Sequence, residues 1–260
     1  MRAIKNLFVL VAIIAVLAGG ATIGLRIARG KPSGVEEIKP GLVAVSSISA
    51  YAYAAKVGNK VILFDAGADP AGAPVDALLG WLHAGRADVT DVFATHGHGD
   101  HTAGASTLGK VRVRIGAGDL ALTEKKVPPE ALAGKAMTLA MGYPAVTGTD
   151  PITGAVTIDV GEGADAKKVK AFPIPGHTSG SYAYLYDGVL FVGDAMIFKQ
   201  GRLDPAIKLF DAHPDENKAS IRALQKQVEK EDIDIICTGH GGCTPKGMGR
   251  NQLTDLVARI

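Results

Sequence analysis

Three glycine-flanked histidine loops, each following an apolar β-type run, constrain this chain more than any other feature. The first is Thr95-His96-Gly97-His98-Gly99-Asp100-His101. The second is Pro175-Gly176-His177-Thr178-Ser179-Gly180-Ser181, and the third is Thr238-Gly239-His240-Gly241-Gly242. Together they hold five of the seven histidines. Between the last two, Phe191-Val192-Gly193-Asp194-Ala195 ends another apolar run in a carboxylate. A fold that uses these side chains together must bring several strand ends to one edge.

The pattern of the remaining chain supplies such strands. Residues 42–48, 51–57 and 60–64 are β-rich, the last two separated by the turn pair Gly58-Asn59. Val75, Leu78, Leu79 and Leu82 share one face of a helix over 75–84. Further strands are expected at 91–95, 111–115, 155–160, 168–174 and 233–237, with a hairpin of 182–186 and 189–192 around Asp187-Gly188. Helices are expected near 103–108, 117–125, 216–229 and 252–260. Residues 127–154, with Pro128, Pro129, Pro144 and Pro151, are expected as a loop-rich excursion, and 196–214 as a second; both are candidate cleft walls. This order predicts a mixed α/β (α+β) domain in which two sheets pack face to face with helices outside.

The first loop suits a pair of cations. His96 and His98 are two residues apart and project to the same side of an extended backbone. Asp100 and His101 follow another glycine and point elsewhere. Imidazole and carboxylate donors without thiolate fit zinc, iron or manganese better than calcium. His83 and His213 lack this setting and are expected to be ordinary surface residues.

The order His96-x-His98-x-Asp100-His101, then His177, Asp194 and His240, resembles the metallo-β-lactamase-fold hydrolases over residues 41–260. The resemblance implies a four-layer αββα sandwich with metals at one edge. It implies His96, His98 and His177 on a first metal and Asp100, His101 and His240 on a second. Asp194 would bridge the two. Zinc is the first expectation, with iron or manganese as alternatives. Asp65, in Leu63-Phe64-Asp65-Ala66-Gly67, matches an early family motif near the site. The commonest β-lactamases of the family carry cysteine where Asp194 stands, so the aspartate resembles the glyoxalase II and lactonase branches.

The implied activity is hydrolysis of a thioester, lactone or related small molecule by a hydroxide held between two divalent metal ions. Asp100 is the candidate for orienting that nucleophile and moving a proton. The alternatives are an iron-dependent persulfide dioxygenase, a β-lactam hydrolase and a non-catalytic metal-binding scaffold. A dioxygenase of this fold usually needs one iron, so the second ligand set counts against it.

The amino terminus is a separate unit. Arg2 and Lys5 precede an uninterrupted apolar run from Leu7 to Ala18 that continues through Leu25. Residues 1–30 are expected to be a signal peptide or a transmembrane anchor, and 31–40 a linker. The segment implies a membrane-anchored or exported protein, with the periplasmic or extracytoplasmic side favoured. Without residues 1–30 the chain has 24 Lys and Arg against 26 Asp and Glu, so the body carries no basic surplus that would point to nucleic acid. Cys237 and Cys243 flank the third histidine loop; a disulfide and two free thiols are both open.

Overall fold

The computed structural model describes residues 19–24, 26–48 and 50–260. The expected signal or anchor segment therefore falls largely outside the described residues. Among the described residues no helix is long and apolar enough to cross a membrane.

Two sheets form the centre. The first has seven strands in sequence order: β1 (Glu36–Lys39), β2 (Leu42–Ser47), β3 (Ala50–Val57), β4 (Lys60–Phe64), β5 (Val89–Phe93), β6 (Arg112–Gly116) and β7 (Thr149–Ile152). Strands β1 to β4 pair antiparallel and β4 to β7 parallel. The second sheet uses β8 (Val156–Val160), β9 (Lys167–Pro173), β10 (Tyr182–Tyr186), β11 (Val189–Phe191) and β14 (Ile235–Cys237), with β14 parallel to β11. A small hairpin, β12 (Met196–Lys199) and β13 (Arg202–Pro205), stands apart.

Period-two alternation sorts the strands into layers. In β2, Val43 and Val45 point toward the Ala73–Trp81 helix and pack with Val75, Leu78 and Leu79. Leu42 and Ala44 point the other way and join Phe64, Phe93, Tyr184 and Phe191 between the sheets. A third apolar layer, including Leu185, Leu190 and Ile236, lies beneath the Pro214–Gln227 and Gly249–Arg259 helices. Three apolar layers between four layers of secondary structure make the αββα sandwich. Phe64 and Phe191 stack across the central layer with ring centroids 3.9 Å apart.

The β10–β11 turn places Asp187 at φ 48° and Gly188 at φ 76°, the two positive values a two-residue hairpin turn requires. Several boundaries differ from the sequence reading. The supposed linker 31–40 already contains β1, which pairs Glu36 with Ala44, so the sheet begins before residue 41. The excursion 127–154 is not mainly loop, because Leu132–Met141 is a ten-residue helix and β7 follows it. The prolines lie on either side of that helix, and its own Leu, Ala, Met and Lys residues favour helix. The excursion 196–214 contains the β12–β13 hairpin. Cys237 and Cys243 are joined as a disulfide across the third histidine loop.

Candidate metal centre

The site forms where carboxyl ends of strands from both sheets meet, the edge where ligands bind in sheets with parallel strands. Asp65 follows β4, His96 to His101 follow β5, Asp119 follows β6, Asp194 follows β11 and His240 follows β14. His177 lies in the loop between β9 and β10. All seven side chains singled out by the sequence meet here, whereas His83 lies exposed elsewhere and His213 pairs at the surface with Glu130.

The cluster has two lobes. In the first, the Nδ1 of His98 lies 3.1 Å from the Nε2 of His96 and 3.1 Å from the Nε2 of His177. In the second, the Nε2 of His101 lies 3.6 Å from Asp100 Oδ2, and the Nε2 of His240 lies 3.4 Å from the same oxygen. Asp194 touches both lobes: its oxygens lie 3.6 Å from His177, 3.4 Å from His101 and 3.3 Å from His240. Ligand-type atoms of His96, His98 and His177 lie within 4.8 Å of one another, and so do those of Asp100, His101 and His240.

Hydrogen bonds fix the ring tautomers. Asp65 is buried, sits at φ 56° and accepts from the backbone N–H of Thr95 at 2.7 Å. Its carboxylate also accepts the Thr95 hydroxyl at 2.8 Å and meets His101 Nδ1 at 2.9 Å. A carboxylate has no proton to give, so His101 Nδ1 is the donor, and its Nε2 is the atom turned toward Asp100 and Asp194. Because the Thr95 hydroxyl proton goes to Asp65, the oxygen accepts from His96 Nδ1 at 3.1 Å, which leaves His96 Nε2 as a lone pair. One carboxylate therefore aims a ring in each lobe.

The electrostatics differ between the lobes. Burial lowers the pKa of His96, His98 and His177, the last to about 3, so this trio is neutral. Burial acts the same way on His101 and His240, but negative charge outweighs it, Asp194 foremost. His101 is raised, and His240 rises to about 10. Burial by itself lifts the Asp100 carboxyl, yet His101 and His240 together hold it below the usual carboxylate range.

The residues present fit divalent cations. Among the described residues, the buried atoms His101 Nε2 and Asp194 Oδ1, both turned into the cluster, have no hydrogen-bond partner. His98 Nδ1 can carry one proton at most and cannot satisfy both neighbouring ring nitrogens. Asp65, Asp100 and Asp194 around His101 call for positive charge. Nitrogen and oxygen donors converging in this way suit divalent cations.

Asp119 is the residue that the sequence reading missed. Its buried carboxylate accepts from Gly97 N–H at 2.6 Å, Gly180 N–H at 2.8 Å and the Thr178 hydroxyl at 2.6 Å. It ties the first histidine loop to the second. Burial pushes its carboxyl up, against these three donors. Gly116-Ala117-Gly118-Asp119 carries no pattern that separates such a clamp from a common turn. Gly239 is fixed by close approach, since a Cβ there would collide with the Asp194 carboxylate and the His101 ring.

Beside the centre lies a cavity of about 390 Å³. Asp100, His177, Asp194 and His240 form its floor, and Met137, Met141, Ile197, Ile207 and Phe210 are among its walls. Lys199, Arg202 and Lys208, in the 196–214 segment beside it, are exposed and do not line it.

A four-layer sandwich with this donor cluster at one edge is the architecture of a metallo-hydrolase. The model of the metallo-beta-lactamase superfamily matches residues 45–240, and the chain belongs to that superfamily. Within it, the chain is similar to hydroxyacylglutathione hydrolases. That of Halorhodospira halophila is 33% identical over 128 residues, covering 49% of this chain and 40% of the relative. That of Dechloromonas aromatica is 30% identical over 154 residues, covering 58% of this chain and 46% of the relative. The matched segments thus span less than half the length of these two relatives.

Solved structures show the same fold. A subclass B3 metallo-beta-lactamase of Bradyrhizobium japonicum superposes with TM-score 0.63 at 20% identity, covering 89% of this chain and 94% of that one. A metallo-beta-lactamase family protein of Thermus thermophilus gives TM-score 0.62 at 19% identity, covering 86% and 80%.

Proposed function

We propose that this chain is a dinuclear metal-dependent hydrolase acting on a thioester, lactone or related ester-like carbonyl. His96, His98 and His177 hold one divalent cation, and Asp100, His101 and His240 hold the other. Asp194 is shared between them, and zinc is the first candidate for both positions. The observation that carries the reading is the convergence of seven side chains, spread over about 145 positions, on two adjacent points with buried unpaired donor atoms.

When bound, two divalent cations supply Lewis acidity and lower the pKa of water enough to yield a nucleophile near neutral pH. The remaining steps belong to the chain. Asp100 lies at the cavity floor, where its carboxylate can orient the attacking water and pass its proton to the leaving group. Tyr143 lines the same cavity, and burial followed by the Asp100 charge raises its pKa, so its hydroxyl remains a hydrogen-bond donor. Apolar walls exclude water and bind the substrate body.

The relatives' name supports a thioester, since a hydroxyacylglutathione is one. The cavity favours a less polar member of that class. Among the described residues that line it there is no lysine or arginine, so the carboxylates of a glutathione group would find no cationic partner inside. An acyl thioester or lactone with an uncharged apolar chain fits better.

Metal analysis of the purified full chain should give about two equivalents per chain. Turnover of apolar thioesters or lactones should exceed that of hydroxyacylglutathione, β-lactams and phosphodiesters, and should vanish with a chelator. A single iron with persulfide oxidation, or full thioester turnover in the chelated protein, would overturn the proposal. Asp100→Asn with both metals retained should lose most turnover; unchanged turnover would remove the proton role.

A further inference from the structure

The Leu132–Met141 helix is apolar on two sides, and only one side has a partner among the described residues. Gly134, Met137, Thr138 and Met141 follow the i, i+3, i+4, i+7 spacing and face the cavity. Leu132, Ala136 and Leu139 follow i, i+4, i+7 on the opposite side and are exposed, Leu132 at 78% and Leu139 at 83%. Across the cavity mouth, Ile207 lies on the rim and Leu209 beyond it is 67% exposed.

The N-terminal helical stretch reaches the same place. Arg26 Nε donates to the carbonyl of Ala140 at 2.8 Å, and Arg29 Nη1 donates to that of Met141 at 2.7 Å. These carbonyls lie at the end of the Leu132–Met141 helix, where cations are favoured. Ile23 and Ile27, one turn apart, are also exposed. The described chain begins at residue 19, and the sequence before it, Leu7 to Ala18, is wholly apolar.

We propose that the outer face of the Leu132–Met141 helix, with Ile207 and Leu209 of the opposite rim, docks on the surface of an anionic lipid bilayer, so that the cavity opens toward the lipid. The length and position of the apolar segment name the occupant. Leu7 to Leu25 is nineteen residues, about 28 Å as a helix, close to the hydrocarbon thickness of a bilayer. Arg26 comes next, and its side chain holds the end of the Leu132–Met141 helix. With Leu7 to Leu25 retained as an anchor, this cavity wall would lie within one side chain's reach of the lipid surface.

Charge agrees with the choice. Each exposed apolar pair brackets a cation: Arg26 between Ile23 and Ile27, Lys135 between Leu132 and Leu139, and Lys208 between Ile207 and Leu209. Apolar side chains that enter the acyl boundary beside cations that meet lipid phosphates are the pattern of an interfacial surface.

The test uses the full chain in vesicles of phosphatidylcholine and phosphatidylglycerol. The only two cysteines are bonded to each other, so Leu139→Cys gives one free thiol for a nitroxide label. Glu229→Cys, exposed beyond the second sheet, is the aqueous reference. The Leu139 label should lose collisions with a water-soluble nickel complex and gain them with oxygen, while the Glu229 label does the reverse. Equal nickel accessibility at both sites would overturn the proposal. So would spin–spin broadening between copies, which would assign the face to a second chain.

This readout involves no turnover, so its failure is separate from failure of the hydrolase reading. A second variant, Leu132→Glu with Leu139→Glu, should leave hydrolysis of a short water-soluble ester unchanged and slow that of a vesicle-dissolved long-chain ester by about tenfold. Equal effects on both esters would also count against bilayer docking.

Discussion

The floor and the walls of the cavity are built on opposite plans. The floor is made of short strand-end loops whose histidines, His240 apart, are buried, with the rings of His96 and His101 oriented by Thr95 and Asp65. The walls are one helix, strand β12 and the loop after β13, rich in methionine and isoleucine and partly open to solvent. Rigid polar placement suits chemistry that needs atoms held in register. Flexible methionines suit a surface that accepts varied apolar chains. Under the proposed function, chemistry and substrate choice would be carried by separate parts of the molecule.

If that separation is correct, substitutions in the floor should abolish metal or turnover, and those in the wall should shift apparent affinity alone. The largest effect is expected at His96, whose replacement by alanine should cost one cation and roughly a thousandfold or more in kcat/KM. Elemental analysis alongside kinetics would check it. Retained stoichiometry with retained turnover would remove His96 from the floor.

Asp65→Asn comes next. An amide that donates toward His101 Nδ1 would favour the wrong tautomer, and metal affinity should fall by roughly 10- to 100-fold. Competition with a chromophoric chelator measures this directly.

Asp119→Ala should act mainly on stability. It leaves the buried N–H groups of Gly97 and Gly180 without their carboxylate and should cost about 1–3 kcal/mol, seen as a lower denaturant midpoint. Turnover of the protein that remains folded should fall less than for Asp65→Asn. An equal fall would show that Asp119 does more than clamp the loops.

The smallest effect belongs to the wall. Met137→Asp should raise KM for an apolar ester by about tenfold, with metal content and kcat little changed. A fall in kcat with unchanged KM would break the division between floor and wall.

Much of the floor was legible in the chain because its residue types are rare together. Three histidines and an aspartate within six positions have few purposes, and a histidine after an apolar run and a glycine repeats that setting twice. The strands were legible for a similar reason, since the β-prone run of Leu42–Ser47 and the aromatic and apolar run of Tyr182–Tyr186 are local signals. The Leu132–Met141 helix was obscured by flanking prolines, which mark the ends of a helix as readily as a loop. Strand β1 was obscured because an exposed four-residue edge strand carries little apolar pattern.

The sequence by itself determined which side chains can bind cations and which runs form strands, because both follow from residue type and short-range periodicity. Only the tertiary structure decided that Asp65 governs a ring in each lobe, that Asp119 joins two loops, and that an apolar helix walls the cavity. Those roles depend on distances between residues 20 to 60 positions apart or more, and such distances are set by how the two sheets pack.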